Sequence, residues 1–116
     1  MSRHTLIHEP TREIVIGFDP PLRAFFGQRF NRSLPLDQDD CVAGWPTRHG
    51  LGIQPRIETN TEALAAICGL RDWLVEQGIR WEPATSAVMV LFNEWKETPD
   101  EGEPAILAAL KGKPVR

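Results

Sequence analysis

Glu13-Ile-Val-Ile-Gly-Phe-Asp-Pro-Pro-Leu-Arg-Ala-Phe-Phe-Gly-Gln-Arg-Phe30 is the stretch on which the fold turns. Its first six residues alternate, placing Ile14, Ile16 and Phe18 on one face of a period-two pattern. Asp19-Pro20-Pro21 is turn chemistry: Asp accepts hydrogen bonds locally, and each proline fixes φ near about −65°. Alternation then resumes. Leu22, Ala24, Phe26 and Phe30 are expected on one face, and Arg23, Phe25 and Arg29 on the other. Two alternating runs about a Pro-Pro turn predict an antiparallel hairpin.

Outward from this hairpin the chain changes period. Residues 31–40 read as a polar loop, Cys41-Val-Ala-Gly-Trp45 as a third strand, and residues 46–50 as a turn. Leu51-Gly-Ile-Gln-Pro-Arg-Ile57 alternates again, but Pro55 cannot donate to a ladder and confines this strand to an edge. The second half is helical. Thr59-Asn-Thr-Glu62 is a capping-box pattern, and Leu64, Ile67, Cys68, Leu70, Trp73, Leu74 and Ile79 are expected to face inward. Gly78 supplies a C-terminal stop. Pro83 suits the first turn of a second helix with Ala84, Val88, Leu91, Phe92 and Trp95 on one stripe; a short buried strand over residues 87–92 is the competing reading. A short last helix is expected over 104–111. Strands first and helices afterwards predict an α+β fold. A small antiparallel sheet of three or four strands would fill the N-terminal half, covered on one face by two or three C-terminal helices.

The chain has 116 residues, 13 Lys+Arg against 16 Asp+Glu, and a formal net charge of −3. With 41% hydrophobic and 25% charged residues, it has the usage of an ordinary globular domain and length for one core over residues 1–116. Residues 1–12 and 112–116 are expected to be the loosest parts. No apolar run approaches the roughly 18–20 residues of a membrane span, and the N-terminus lacks the apolar core of a signal peptide. Two cysteines, Cys41 and Cys68, make no disulfide framework. A reduced, cytoplasmic chain is expected, with Cys68 in the core and slower to alkylate than Cys41. Charge is evenly spread, so no basic arm or acidic tail points to nucleic acid or membrane.

Candidate chemistry is sparse. His4 and His8 have helical metal-ligand spacing, but their segment reads as extended and lacks a third ligand, so no metal is expected. Cys41 and His49 form a conceivable thiolate–imidazole pair, opposed by Asp39 and Asp40, which would raise the thiol pKa. No phosphate-cradling glycine loop and no GxSxG serine are present. No catalytic residue and no cofactor are therefore expected. Three binding features stand out. Arg23, Phe25 and Arg29 mix positive charge with an aromatic ring on one strand face, as in sheets that stack single-stranded nucleic acid. Asp37, Asp39 and Asp40 form an acidic loop suited to a basic partner. Trp81, between Arg80 and Glu82, fits no inward stripe and has the chemistry of an interface anchor.

The leading expectation is a small non-catalytic protein acting through protein–protein interaction, as a homodimer or as a regulatory or adaptor module. The alternative is a nucleic-acid-binding regulator, using the Arg/Phe strand face or a helix-turn-helix-like hairpin over residues 70–90. The second helix offers few base-reading donors for that role. A Cys- or His-dependent enzyme has the least support.

Overall fold

The hairpin forms as expected and grows on both sides. The computed structural model describes residues 2–35, 37–47 and 56–98. Four strands, β1 (Ser2–Glu9), β2 (Arg12–Asp19), β3 (Ala24–Phe30) and β4 (Cys41–Trp45), pair antiparallel in the order β1-β2-β3-β4. Two helices follow, α1 (Asn60–Glu76) and α2 (Trp81–Glu97), and they pack on one face of the sheet. The architecture is α+β. Strand β1 was not foreseen: residues 1–12 were expected to be loose, yet Ser2–Glu9 is paired along its length with β2. Residues 51–55 of the expected edge strand, His49 and the expected helix over 104–111 lie outside the described residues.

Register decides which face is which. Phe18 pairs with Phe25, Ile16 with Gly27 and Ile14 with Arg29. Cross-strand partners share a face, so the side carrying Ile14, Ile16 and Phe18 also carries Phe25, Gly27 and Arg29. This corrects the expectation that Arg23, Phe25 and Arg29 look away from the core. Phe25 is 1% exposed and packs against Phe18 with ring centroids 5.6 Å apart. Gly27 leaves room for Leu70 and Trp73, since a Cβ there would stand 2.9 Å and 2.8 Å from their side chains. The opposite face holds a small cluster of Val15, Phe30 and Cys41.

The hairpin turn explains the change of phase. The backbone N–H of Arg23 donates to the Pro20 carbonyl (3.1 Å), and Arg23 adopts φ 45°, a conformation that L-residues other than Asn, Asp and Gly rarely take. The kink separates Leu22 from the strand, leaving it 55% exposed. Arg23 itself is buried at 8%. Its Nε donates to the Ile57 carbonyl (3.2 Å) and its Nη1 to the Thr98 carbonyl (3.1 Å). Its guanidinium lies 5.2 Å from the Trp95 ring, and Ile57 N–H returns a bond to the Arg23 carbonyl (3.0 Å). One side chain thus ties the β2–β3 turn to the segment before α1 and to the end of α2. Arg23→Ala should cost about 2 kcal/mol through the two lost hydrogen bonds and the Thr98 carbonyl left without its donor, the Ile57 carbonyl still accepting from Trp95 Nε1 (2.9 Å). Arg23→Gly should recover about 1 kcal/mol of that by removing the left-handed strain. Urea midpoints of the two variants check this; equal midpoints would show that the backbone is unstrained.

The helices are fixed by their ends and inner stripes. Thr59 caps α1: its Oγ1 accepts from Glu62 N–H (3.1 Å) and donates to the Glu62 carboxylate (3.0 Å). At the other end Ile79 N–H reaches the Leu74 carbonyl and Gly78 N–H reaches that of Val75, both at 3.0 Å. Gly78 stands at φ +96°, so the helix closes in a Schellman motif that only glycine takes without strain. The inward stripe of α1 is Ala63, Ile67, Leu70, Trp73 and Leu74, and that of α2 is Ala84, Val88, Leu91 and Trp95. Residues 87–92 are therefore helical, not a strand. Leu64, at 47% exposure, and Cys68 face outward, a correction of the inward reading: Ala63 sets the phase, and its neighbour stands about 100° round the helix. Cys41, in contrast, is buried, and neither cysteine is in a disulfide. The alkylation order consequently reverses. Cys68 should react quickly in the native state and Cys41 only on opening, as timed thiol labelling with intact mass would show.

Candidate protein-binding surface

The sequence-selected residues fall in three places. Arg23, Phe25 and Arg29 lie on the helix-covered side of the sheet. Arg29 is half-buried and its Nη1 donates to the Gln77 side-chain oxygen (2.8 Å), while Arg12 Nη1 reaches the Gln77 carbonyl (3.3 Å). Two cations thereby sit at the C-terminal end of α1, where the helix dipole favours them. With its ring and guanidinium groups under α1 and α2, the Arg/Phe face is closed to a stacking ligand.

Two of the three acidic-loop carboxylates, Asp39 and Asp40, are engaged locally. Asp39 accepts from the Cys41 N–H (3.0 Å), and Asp40 pairs with Arg32 (2.5 Å). Asp37 is exposed. Arg32 also pairs with Glu13 (3.0 Å) and lies 3.9 Å from the Phe30 ring, so it roofs the Phe30 end of the second cluster. His8 completes the network at 2.9 Å from Glu13. The Arg32 hydrogen bond holds the Glu13 carboxyl below its ordinary range against the opposing effect of burial, with His8 assisting. A depressed carboxyl contributes stability above its unfolded pKa and loses it as pH falls through the folded value. Stability should therefore decline below about pH 4.5, and Glu13→Gln should flatten that acid limb, as urea midpoints from neutral pH to pH 3 (about that range) would report. An unchanged acid limb in the variant would remove Glu13 from the account.

His4 and His8 do not meet. A bulge between Thr5 and Ile7 shifts the register, so His4 falls on the helix side, against Glu94 of α2 (2.5 Å), and His8 on the other. Among the described residues no group of three His, Cys, Asp or Glu could hold a metal ion.

Trp81 remains. It opens α2, is 55% exposed, and carries the Arg71 guanidinium 4.0 Å from its ring centroid. Arg71 is steadied by Asp72, with Nε and Nη2 at 3.3 Å and 3.2 Å from Oδ1. The indole is thus held by a stacked cation rather than left free to rotate. Beside it is a depression of about 330 Å³ lined by Arg80, Trp81, Glu82 and Pro83. The large hydrophobic residues exposed among the described ones are Leu22, Leu64, Val75, Trp81, Met89 and Val90. All but Leu22 belong to the helical hairpin. Sequence reading found Trp81 but missed the others, because it assigned Leu64 inward and gave Met89 and Val90 no face. The signal was available in the i, i+4, i+7, i+11 row of Ala63, Ile67, Leu70 and Leu74, which excludes Leu64.

The fold and this surface define a four-stranded antiparallel sheet backed by an αα-hairpin that exposes Leu64, Val75, Trp81, Met89 and Val90 among polar residues. No family model, curated protein or solved structure matches the chain. No helix of the described residues is long and apolar enough to cross a membrane.

Proposed function

We propose that this protein acts by binding another protein through the outer face of its helical hairpin. The exposure of Leu64 and Val75 on one side of α1, and of Met89 and Val90 on adjacent positions of α2 with Trp81 at its start, carries the reading. Single exposed apolar residues are ordinary on a surface, but five on one helical hairpin, against one elsewhere among the described residues, favour an interaction surface there. The stacked Arg71–Trp81 pair adds the residue types that dominate binding energy at interface centres. A cytoplasmic, regulatory or adaptor role agrees with this reading, and two cysteines outside any disulfide support a reducing setting. A photoreactive residue at position 90 tests it. Cross-linking in cells should give discrete protein adducts from position 90 and none from position 9, an exposed site at the end of β1. No adduct from position 90 would overturn the proposal.

A further inference from the structure

The partner can be specified further, on the reading just given. We infer that the outer face of α2 pairs with a second copy of itself, antiparallel, about a two-fold axis at Met89. Ala84, Val88, Leu91 and Trp95 point to the core, so the opposite stripe is Glu82, Ser86, Met89, Asn93 and Lys96, all exposed. Their spacing of four, three, four, three makes one straight stripe down the helix with Met89 as its apolar centre. The stripe is self-complementary in charge. Glu82 and Lys96 stand equally far from Met89 at opposite ends, as do Ser86 and Asn93 to within a residue. In an antiparallel pair centred there, Glu82 lies beside the partner's Lys96, and Lys96 beside the partner's Glu82. Ser86 lies beside the partner's Asn93, small enough for close approach, and Met89 meets the partner's Met89. Val90 widens the apolar centre along one side. A parallel pair would instead set Glu82 against Glu82 and Lys96 against Lys96. Charge therefore selects the antiparallel, isologous arrangement.

A helix of 17 residues is about 25 Å long, so the contact lies near the small end of specific interfaces, and dissociation on the order of micromolar is expected. Sedimentation equilibrium from about 1 to about 200 µM, a range bracketing that value, should show wild-type dimers. E82K and K96E should each weaken dimerisation at least about tenfold by opposing like charges. The double variant E82K/K96E should restore it. The double variant also carries any helix-stability cost of both changes, so restoration assigns the effect to pairing across the axis. Met89→Lys should be monomeric, with a urea midpoint equal to that of wild type at protein concentrations well below the dissociation constant. A wild type that stays monomeric throughout, or dimers indifferent to the single reversals, would overturn the inference. Adducts from position 90 to a different protein alongside a monomeric wild type would reject self-pairing while upholding the protein-binding reading. Absence of both dimer and adducts would reject the two together.

Discussion

Phe25→Ala is expected to lower the unfolding free energy by about 3–5 kcal/mol, the range for emptying a buried aromatic site. The ring is 1% exposed, tilted against Phe18, and belongs to the cluster that includes Leu70, Leu74, Val88 and Leu91. A small domain holds only about 5–15 kcal/mol in all, so the variant should be half or more unfolded at modest urea. Leu64→Ala supplies the contrast. Leu64 faces solvent at 47% exposure, and its truncation should stay within about 0.5 kcal/mol. Urea midpoints with a common slope decide the matter. If Phe25 served an interface instead, its loss would appear in self-association and leave the monomer's midpoint in place.

That contrast shows where the sequence was legible. Period-two alternation over 13–18 and three- and four-residue spacing over 60–97 mark strands followed by helices and so define the α+β class, although β2 is buried on both sides, with Val15 as buried as Ile14 and Ile16. What alternation does not fix is which side of β3 is covered, because both of its faces carry phenylalanine. Phe25 lies against α1 and α2, while Phe26 and Phe30 lie on the other side of the sheet. The choice rests on the turn, where an arginine at φ 45° shifts the phase by one residue. Nothing in the composition of Asp19-Pro-Pro-Leu-Arg23 announces that an arginine will take a left-handed position. It does so because carbonyls of Ile57 and Thr98, distant in sequence, capture its side chain.

The same non-locality hid most of the candidate site. Trp81 was recognisable because it broke a stripe. The Arg71 stacked on it comes from the preceding helix and meets it only after Gly78 has reversed the chain. The acidic loop looked like a docking point for lack of visible partners, and its partners proved to be Arg32 and the Cys41 backbone amide. Charged side chains read as solvated in one dimension often find local counterparts in three, so such runs seldom mark sites. Exposed apolar residues on a packed helix are more telling, since no local interaction explains them.

The second large effect concerns a residue with no side chain. Gly17→Val is expected to cost about 3 kcal/mol, the upper end for forcing atoms into a filled space. Glycine within a strand ordinarily weakens it, and a larger residue would gain about 0.5–1 kcal/mol from reduced chain entropy. Packing outweighs that gain here. A Cβ at position 17 runs into the Ser2 carbonyl oxygen and into the edge of the Phe26 ring, which lies across the glycine from its cross-strand position. The ring could swing aside, but the carbonyl belongs to β1, and Ser2 is held by the Phe18 N–H donating to its hydroxyl (3.1 Å). Strand β1 must therefore shift outward, straining its pairing with β2 and the His4–Glu94 contact with α2. Gly17→Ala should show a smaller loss of the same sign, about 1–2 kcal/mol. Amide exchange distinguishes this from general weakening: protection should fall most in residues 2–9, ahead of the β2–β3 ladder. A Gly17→Val protein with wild-type stability, or with uniform loss of protection, would show that the ring and strand yield without cost and that Gly17 is not the seat on which β1 is set.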